Sequence, residues 1–521
     1  MSGTNKLNVV GIDLGTTFSA LAALNSIGKP EIVPNADGER LTPSAIFFDE
    51  EAPDIIRVGV EAINSRYLNA QRSVRWIKRN MGDKNFCINI DGKEYSAVEL
   101  SALILKKLKQ DCSAQIGEIS DAVISVPAHF EEMRRKATMD AGAMAGLDVI
   151  AIVNEPVAAA LYYATTRQVS GKVLVYDLGG GTFDVTIMQV SGQNIDIICS
   201  QGDHALGGID FDKEILNILQ QNYEEKLGRK LINSEEDKAN YEDEAEDVKK
   251  ILSRRDVAKK MLYGPAGNMR VEITRDSFEQ AISPLMERID ILLEVALEEA
   301  ALQPAQIDKV LLVGGSSRIP LVRKRLEKMF GFAPETTVNV DECVALGAAL
   351  YAGLTMQREK PDVLPGGIAA GLNDIRLTDV CNHSYGTLGA PLDHETGQRV
   401  LKNIIMLEKN TPLPCEVSRM FYTLSEGQTQ IEVTVTQGED ASAEYVNKIA
   451  THSFELPSGR PAKCPVKVTY SYDLNQRMHC SFEDVESGRT LEVDFSLDRN
   501  GEMTQRDVNQ KTEQLQALKV E

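Results

Sequence analysis

Two short segments combine an acid, glycines and hydroxyls in an order suited to holding polyphosphate. One reads Val9-Val10-Gly11-Ile12-Asp13-Leu14-Gly15-Thr16-Thr17, the other Leu174-Val175-Tyr176-Asp177-Leu178-Gly179-Gly180-Gly181-Thr182-Phe183-Asp184. In each, an apolar run ends on an aspartate and turns through glycine and threonine. Glycines let backbone N–H groups approach phosphate oxygens and threonine hydroxyls add donors. An aspartate at a strand end can hold a hydrated Mg²⁺ bridging two phosphates. One Gly-Thr turn is ordinary hairpin chemistry. Two copies, each behind a strand, form an internal repeat and predict two similar lobes gripping a nucleotide. Neither copy is a Walker P-loop, since GxxxxGK[ST] is absent.

A third turn, Leu311-Leu312-Val313-Gly314-Gly315-Ser316-Ser317-Arg318-Ile319-Pro320, has no aspartate at its strand end. It suits a flat base or ribose better than a triphosphate. Other chemistries find no support. The six histidines are scattered, and the eight cysteines (87, 112, 199, 343, 381, 415, 464, 480) show no CxxC or other metal-ligand spacing. They read as reduced core residues, and neither a zinc site nor a Ser-His-Asp hydrolase is supported.

The elements that must carry these turns follow from periodicity. Up to about residue 355, short β-branched runs such as Ala122-Val123-Ile124-Ser125-Val126 and Val310-Leu311-Leu312-Val313 alternate with longer helical patterns, an α/β signature. Phe211, Ile215, Ile218 and Leu219 mark one helical face, and 235–247 reads as an acidic, solvated helix. Residues 361–371 hold two prolines and three glycines and mark a boundary. Beyond it the period changes to two, in Ile431, Val433, Val435, then Val466 to Tyr472, Met478 to Phe482, and Leu491, Val493, Phe495. Turns at Asn475-Gln476 and Ser487-Gly488 separate the runs, which predicts an antiparallel β-sandwich. After Asn500-Gly501 a last helical pattern puts Val508, Leu515 and Leu518 on one face, with no partner apparent in the sequence.

At 521 residues the chain is long enough for about three folding units. Lys plus Arg number 56 against 77 Asp plus Glu, a formal charge of −21, which disfavours nucleic acid and anionic membranes as partners. Hydrophobic residues at 43% and charged ones at 26% are ordinary globular usage. No apolar run has the length of a membrane span and residues 1–10 do not read as a signal peptide, so the expected compartment is the cytoplasm.

Three segments carry a family resemblance. IDLGTTFS, DLGGGTFDVT and VLLVGGSSRIPLV look like the signature segments of the 70-kilodalton heat-shock chaperone family, DnaK-type, in order and at family-like separations. VPAHF (126–130), NEPVAAA (154–160), GDHALGGIDFD (202–212) and DECVALGAAL (341–350) also match, and the resemblance runs from Asn8 to about Glu521. It implies an α/β actin-like two-lobed ATPase domain over 1–360, an interdomain linker over 361–380, an antiparallel β-sandwich that binds peptide over 381–500, and the start of a truncated helical lid over 501–521. ATP or ADP and Mg²⁺ are the implied cofactors, with K⁺ as a further candidate.

By that resemblance Asp13, Gly15, Thr16, Thr17, Asp177, Gly179, Gly180, Gly181, Thr182, Gly207 and Gly208 surround the phosphates, with Asp13 and Asp177 holding Mg²⁺ through water. Lys78, in Trp76-Ile77-Lys78-Arg79, matches the lysine near the γ-phosphate, and Glu155 matches the carboxylate that couples the phosphates to Pro127 and Arg135. Glu246, Lys249, Lys250, Ser253, Gly314, Gly315, Ser316, Arg318 and Asp341 match the adenosine pocket. Hydrolysis needs a cation, a metal and an oriented water. Lys78, Asp13 and Asp177 with Mg²⁺, and Thr182 with Asp184 supply them, which makes Lys78, Glu155, Asp177, Thr182 and Asp184 the catalytic candidates. Phe421, Leu424, Ile431 and Val433 match the lining of the peptide cleft, or else form sandwich core. Pro127, Arg135 and Asp379 are the candidate interdomain relay.

Five departures carry expectations of their own. The linker, Asp374-Ile375-Arg376-Leu377-Thr378-Asp379, interrupts the family's leucine run, so Arg376 is expected to weaken docking between domains. Ala151 replaces an arginine that contacts J-domain partners. Arg477 stands where the cleft has an apolar residue, so the peptide preference is expected to tolerate acidic groups. Val157 and Ile209 replace a threonine and a glutamate at non-catalytic positions, and the lid stops after its first turns. The implied activity is ATP-driven chaperoning of extended apolar segments of unfolded proteins, with a J-domain co-chaperone and a nucleotide-exchange factor as partners. The rival reading is a holdase or exchange partner that binds ATP with little turnover. A sugar kinase would leave 381–500 without a role.

Overall fold

A parallel strand buried on both faces needs a continuous apolar run, and an antiparallel hairpin needs a tight turn at its end. The two phosphate-loop segments meet both demands. In the computed structural model, which describes residues 9–167, 170–335, 339–392, 397–494 and 505–521, Val10–Leu14 pairs in parallel with Asp121–Val126 on one side and antiparallel with Phe18–Leu24 on the other. Ser170–Leu178 repeats the pattern, parallel to Lys309–Val313 and antiparallel to Phe183–Ser191. The repeat legible in the loops is therefore a repeat of sheet topology. One lobe is a sheet ordered Asp148–Asn154, Asp121–Val126, Val10–Leu14, Phe18–Leu24, Pro30–Ile32, with Thr42–Pro43 added to Phe18–Leu24. The other is ordered Lys309–Val313, Ser170–Leu178, Phe183–Ser191, Asn194–Asp203, Arg376–Thr378.

That last strand belongs to the predicted linker. Within 361–380 the chain first forms the helix Gly366–Leu372, which packs on Cys343–Glu359. It then adds Arg376–Thr378 to the edge of the second lobe, with Ile195 opposite Leu377. Arg376, expected to weaken docking between domains, is not buried by this strand. Its side chain is exposed and donates to the carbonyls of Asn373 and Ile375 at 2.7 and 2.8 Å, while Ile375 is buried. Strand addition uses backbone groups, so an outward guanidinium does not disturb it.

Residues 381–392 and 397–494 form two packed antiparallel sheets, as their period-two pattern requires. Lys402–Leu407, Tyr385–Gly389, Gln430–Gln437 and Asn447–Glu455 make one, and Cys415–Tyr422, Pro465–Tyr472, Met478–Asp484 and Arg489–Asp494 the other. Tyr385, Val433, Val435, Val468, Tyr470, Cys480, Phe482 and Val493 meet in the core between them. Phe495, like the domain limit at 500 and the start of the lid segment, lies outside the described residues.

The last helix has a partner after all, distant in sequence. Gln505–Ala517 packs against Ala97–Ile116 and Glu132–Met144 of the first lobe, and Val508 and Leu515 join that lobe's core. Lys519–Val520 then pairs in parallel with Ile55–Val58. The Lys106 ammonium donates to the carbonyls of Leu515, Gln516 and Leu518 at 2.8, 3.1 and 2.8 Å, satisfying acceptors that a helix C-terminus leaves open. Among the described residues no helix is long and apolar enough to cross a membrane. The described cysteines are free thiols, but Cys87 is exposed and Cys415 half-buried, so the reading of the cysteines as core residues fails for these two.

Candidate functional site

The two hairpin turns face each other across the cleft between lobes. Gly179 N–H donates to the Thr182 carbonyl at 3.0 Å, closing the second turn. A Cβ on Gly180 would stand 2.2 Å from Thr17 Oγ1 of the first turn, so the lobes approach this closely only because glycine is there. The third turn needs glycine for another reason. Gly314 has φ +78°, and a Cβ there would meet the Leu178 carbonyl oxygen at 2.4 Å.

Between the turns lies a cavity of about 480 Å³. Asp13, Gly15, Thr16, Thr17, Lys78, Glu155, Asp177, Gly179, Gly180 and Thr182 line its inner part. Glu246, Lys249, Lys250, Ser253, Gly314, Gly315, Ser316, Arg318 and Asp341 line the rest, so residues from all three turns converge on one space. Gly181, Asp184, Gly207 and Gly208 stand behind it. The Gly208 and Ile209 N–H groups donate to the Gly179 and Gly180 carbonyls at 3.0 and 2.8 Å, bracing the turn. Arg79 Nε donates to the Gly181 carbonyl at 3.1 Å. Asp184 accepts the N–H of His129 at 3.1 Å. Phe18, Leu41, Arg254, Val340 and Val344 also line the cavity and were missed. Phe18 and Arg254 adjoin candidate residues, but Val340 and Val344 look like any apolar residue.

Charge at the cavity floor is unbalanced. Asp13, Glu155, Asp177 and Asp184 surround the ammonium of Lys78, which is ion-paired with Glu155. Burial, then repulsion by Glu155, pushes Asp13 up to about 6 even though Ser125 donates to it at 2.9 Å. Burial and Glu155 push Asp184 to about 8, and burial raises Asp177 well above the carboxylate range. Burial pulls Lys78 down, but Glu155 and Asp13 more than offset it and hold it protonated. Such excess buried carboxylate favours a cation. Among the described residues no group of three or more acids, histidines or cysteines is placed to hold a metal ion by itself. The residues therefore fit a hard ion that keeps water and uses phosphate oxygens, as Mg²⁺ does.

In the second part of the cleft, Lys249 donates to Asp212 and to the Gly208 carbonyl at 2.6 and 3.0 Å. Arg318 forms a two-pronged pair with Asp341 at 2.9 and 2.6 Å. Acid and base there are fixed by each other before any ligand arrives.

The candidate relay is a run of hydrogen bonds. Arg135 is fully buried and donates to the carbonyls of Ala128 and Phe130 and to Asn154 Oδ1, the last at 2.7 Å. Its other nitrogen donates to Gln476 of the β-sandwich, and Gln476 donates to Asp379. Pro127 precedes Ala128 and Glu155 follows Asn154 in the chain. Gln476 was read only as a turn residue. The bond it makes spans 341 positions, and no local pattern announces it.

Arg477, expected in the peptide cleft, instead donates to the carbonyls of Val149 and Ile150 of the first lobe at 3.3 and 3.0 Å. Its turn belongs to the domain interface, where Tyr351 also donates to the Leu474 carbonyl at 2.7 Å. Ala151 is 1% exposed on the adjoining strand. Of the four cleft candidates, Leu424 is exposed, Phe421 and Ile431 are half-buried against the sandwich core, and Val433 belongs to that core.

Comparison with known proteins follows this geometry. The family model described as "Hsp70 protein" matches residues 9–521. The "Chaperone protein DnaK" of Thermotoga neapolitana is 38% identical over 493 residues, 92% of this chain and 79% of that protein. The proteins of the same name from Thermotoga petrophila and Thermotoga maritima match to the same extent. A cleft built from three converging turns, a sandwich bonded to it and a match over nearly the whole length together lead to one conclusion: the chain belongs to the Hsp70 family.

Proposed function

We propose that this ATP-dependent chaperone, an ATPase that binds unfolded protein, couples its nucleotide cleft to its peptide-binding sandwich through Asp184, the 127–130 segment, Arg135, Gln476 and Asp379. The observation that carries this is the run of hydrogen bonds from Asp184 behind the phosphate turn to Asp379 beside the sandwich. The domains we assign are 1–360 for the ATPase, 361–380 for the linker, whose Arg376–Thr378 joins the second lobe's sheet, 381–500 for the sandwich and 501–521 for a lid segment, whose helix Gln505–Ala517 docks on the first lobe. The cytoplasm is the proposed compartment.

The Gly15–Thr17 and Gly179–Thr182 turns bind the phosphates, and Arg318, Ser316, Lys249, Lys250 and Glu246 the adenosine. Lys78 supplies fixed positive charge toward the transferred phosphoryl group, and Glu155 orients it. Thr182 and Asp184 place the attacking water, Thr182 at the cavity wall and Asp184 from behind the turn. When bound through water to Asp13 and Asp177, Mg²⁺ supplies charge neutralisation between phosphates. The carboxylate excess leaves a place for K⁺ as well. Phe421 and Leu424 offer apolar surface to an extended peptide, whose backbone bonds give broad sequence tolerance. A J-domain protein and an exchange factor complete the cycle.

The test is peptide release with and without ATP, measured beside single-turnover hydrolysis. Wild type should release peptide faster with ATP. Lys78→Ala should bind ATP while hydrolysis falls roughly 100-fold or more. Gln476→Ala should hydrolyse ATP yet lose its effect on release. Equal hydrolysis by wild type and Lys78→Ala would remove the lysine assignment, and the absence of any turnover would favour a holdase.

A further inference from the structure

Two thiols meet where the linker enters the sandwich. The sulfurs of Cys381 and Cys415 stand 3.8 Å apart. Cys381 lies two residues beyond Asp379, and its backbone is tied to the facing segment, its N–H donating to the Thr411 carbonyl at 2.9 Å and its carbonyl accepting from Asn410 at 2.8 Å. Cys415 opens the strand Cys415–Tyr422 that carries Phe421. The pair thus joins the end of the relay to a strand of the peptide-binding half.

The two sulfurs differ in environment. Cys381 is buried and Cys415 half-buried. The contact with Cys381 holds the Cys415 thiol below its ordinary value against the effect of burial. The same contact, burial and the nearby Asp379 hold Cys381 above its own, with the Arg135 guanidinium opposing. Cys415 is the more readily ionised of the two and the less buried residue. That is the arrangement of an attacking and a resolving cysteine.

We propose that Cys381 and Cys415 form a redox modification site whose co-reactant is a hydroperoxide. The Cys415 thiolate attacks the peroxide oxygen. The S–O bond forms, the O–O bond breaks, and the departing oxygen takes a proton and leaves as water or an alcohol. Sulfur loses two electrons and the peroxide gains them. Cys381 sulfur then attacks the sulfenic sulfur of Cys415. The S–S bond forms, the S–O bond breaks, and the oxygen leaves as water with the Cys381 proton. The sulfurs, now 3.8 Å apart, must close to about 2.05 Å. The disulfide fastens the linker end to the Phe421 strand, and Asp379, which holds Gln476, sits two residues from the bond. Oxidation therefore slows ATP-triggered peptide release, a consequence that rests on the coupling proposed above.

The site itself is tested on the whole chain without assuming any function. Intact protein is treated with hydrogen peroxide, alkylated, digested without reductant and examined by mass spectrometry. A peptide pair joined through Cys381 and Cys415, lost on adding dithiothreitol and absent from Cys381→Ser and Cys415→Ser, is the expected result. Wild-type protein in which exposed Cys87 is oxidised while Cys381 and Cys415 stay unjoined overturns the site. The consequence is tested by peptide release in a Cys87→Ser background. Release several-fold slower after peroxide and restored by dithiothreitol supports it, and unchanged release from fully joined protein overturns it. If reduced protein itself shows no ATP-triggered release, the chaperone coupling fails instead, and the joined peptide still decides the site.

Discussion

Trp76 ties lobe closure to a single measurable side chain. The Arg75 guanidinium lies 4.9 Å from the centre of its ring and reaches across the cleft to Asp243 and Glu246 of the second lobe. The chain has one tryptophan, so its emission reports this place alone. If nucleotide moves the lobes, Arg75 must follow its acidic partners or leave them, and the stacked contact, worth about 0.5–2 kcal/mol, changes with it. Trp76 emission should therefore differ between ATP, ADP and nucleotide-free protein, and Arg75→Gln should shrink the difference. Identical spectra in the three states would exclude lobe movement at this point.

Among the elements, the C-terminal helix shows how a short amphipathic segment is stabilised by what it meets. Gln505–Ala517 is too short to persist alone in water, yet Leu515 is 2% exposed in the core of the first lobe. Leu515→Ala should cost about 2–5 kcal/mol of helix docking. Lys106→Met, which removes the ammonium from three half-buried or exposed carbonyls, should cost about 0.5–1.5 kcal/mol. Hydrogen exchange should rise in 505–521 and in Ile55–Val58, whose edge Lys519–Val520 covers. Exchange confined to the helix alone would show that the terminal strand pairs independently of it.

Across the whole molecule, docking of the sandwich on the ATPase carries a pH signature. His129 and His383 pack edge to face across the interface with ring centres 5.5 Å apart, and His383 Nε2 meets the Phe130 carbonyl at 3.2 Å. Burial, helped by His204, Lys409 and Arg134 and opposed by Asp203, lowers His129 to about 4. Burial, then His129, Arg135 and Lys409, lowers His383 to about 3. Separated domains protonate both rings near 6.5, so below that pH the separated form binds more protons. The contribution to docking is complete above 6.5 and is lost as pH falls toward about 4. Asp379, raised to about 6 by burial, and Glu132, raised by burial, act in the opposite sense, but their help begins only as pH drops through about 6. Docking with ATP present should weaken about tenfold between about pH 7.5 and 5.5, followed by an interdomain fluorescence distance. His383→Gln should remove most of that dependence. Docking that strengthens over this range would mean the carboxylates dominate.

The nucleotide turns were legible because each is contiguous. Acid, glycine and threonine sit within a few residues of one another, and phosphate binding is a property of that local backbone. The two lobes followed from their repetition, and the sandwich from period-two alternation. Periodicity states which face of an element is buried and is silent about what covers it. Val508 and Leu515 announced an apolar helical face, but only the fold supplied the first lobe as its cover. Arg376 read as a buried liability until the edge strand turned it outward. Gln476 and Arg477 looked like turn and cleft residues, while their partners lie 341 and 327 positions away. The sequence by itself determined the local chemistry and the elements that present it. The tertiary structure alone decided the coupling between the domains, because a buried hydrogen bond between distant residues depends on how two surfaces are brought together, and no local pattern encodes that.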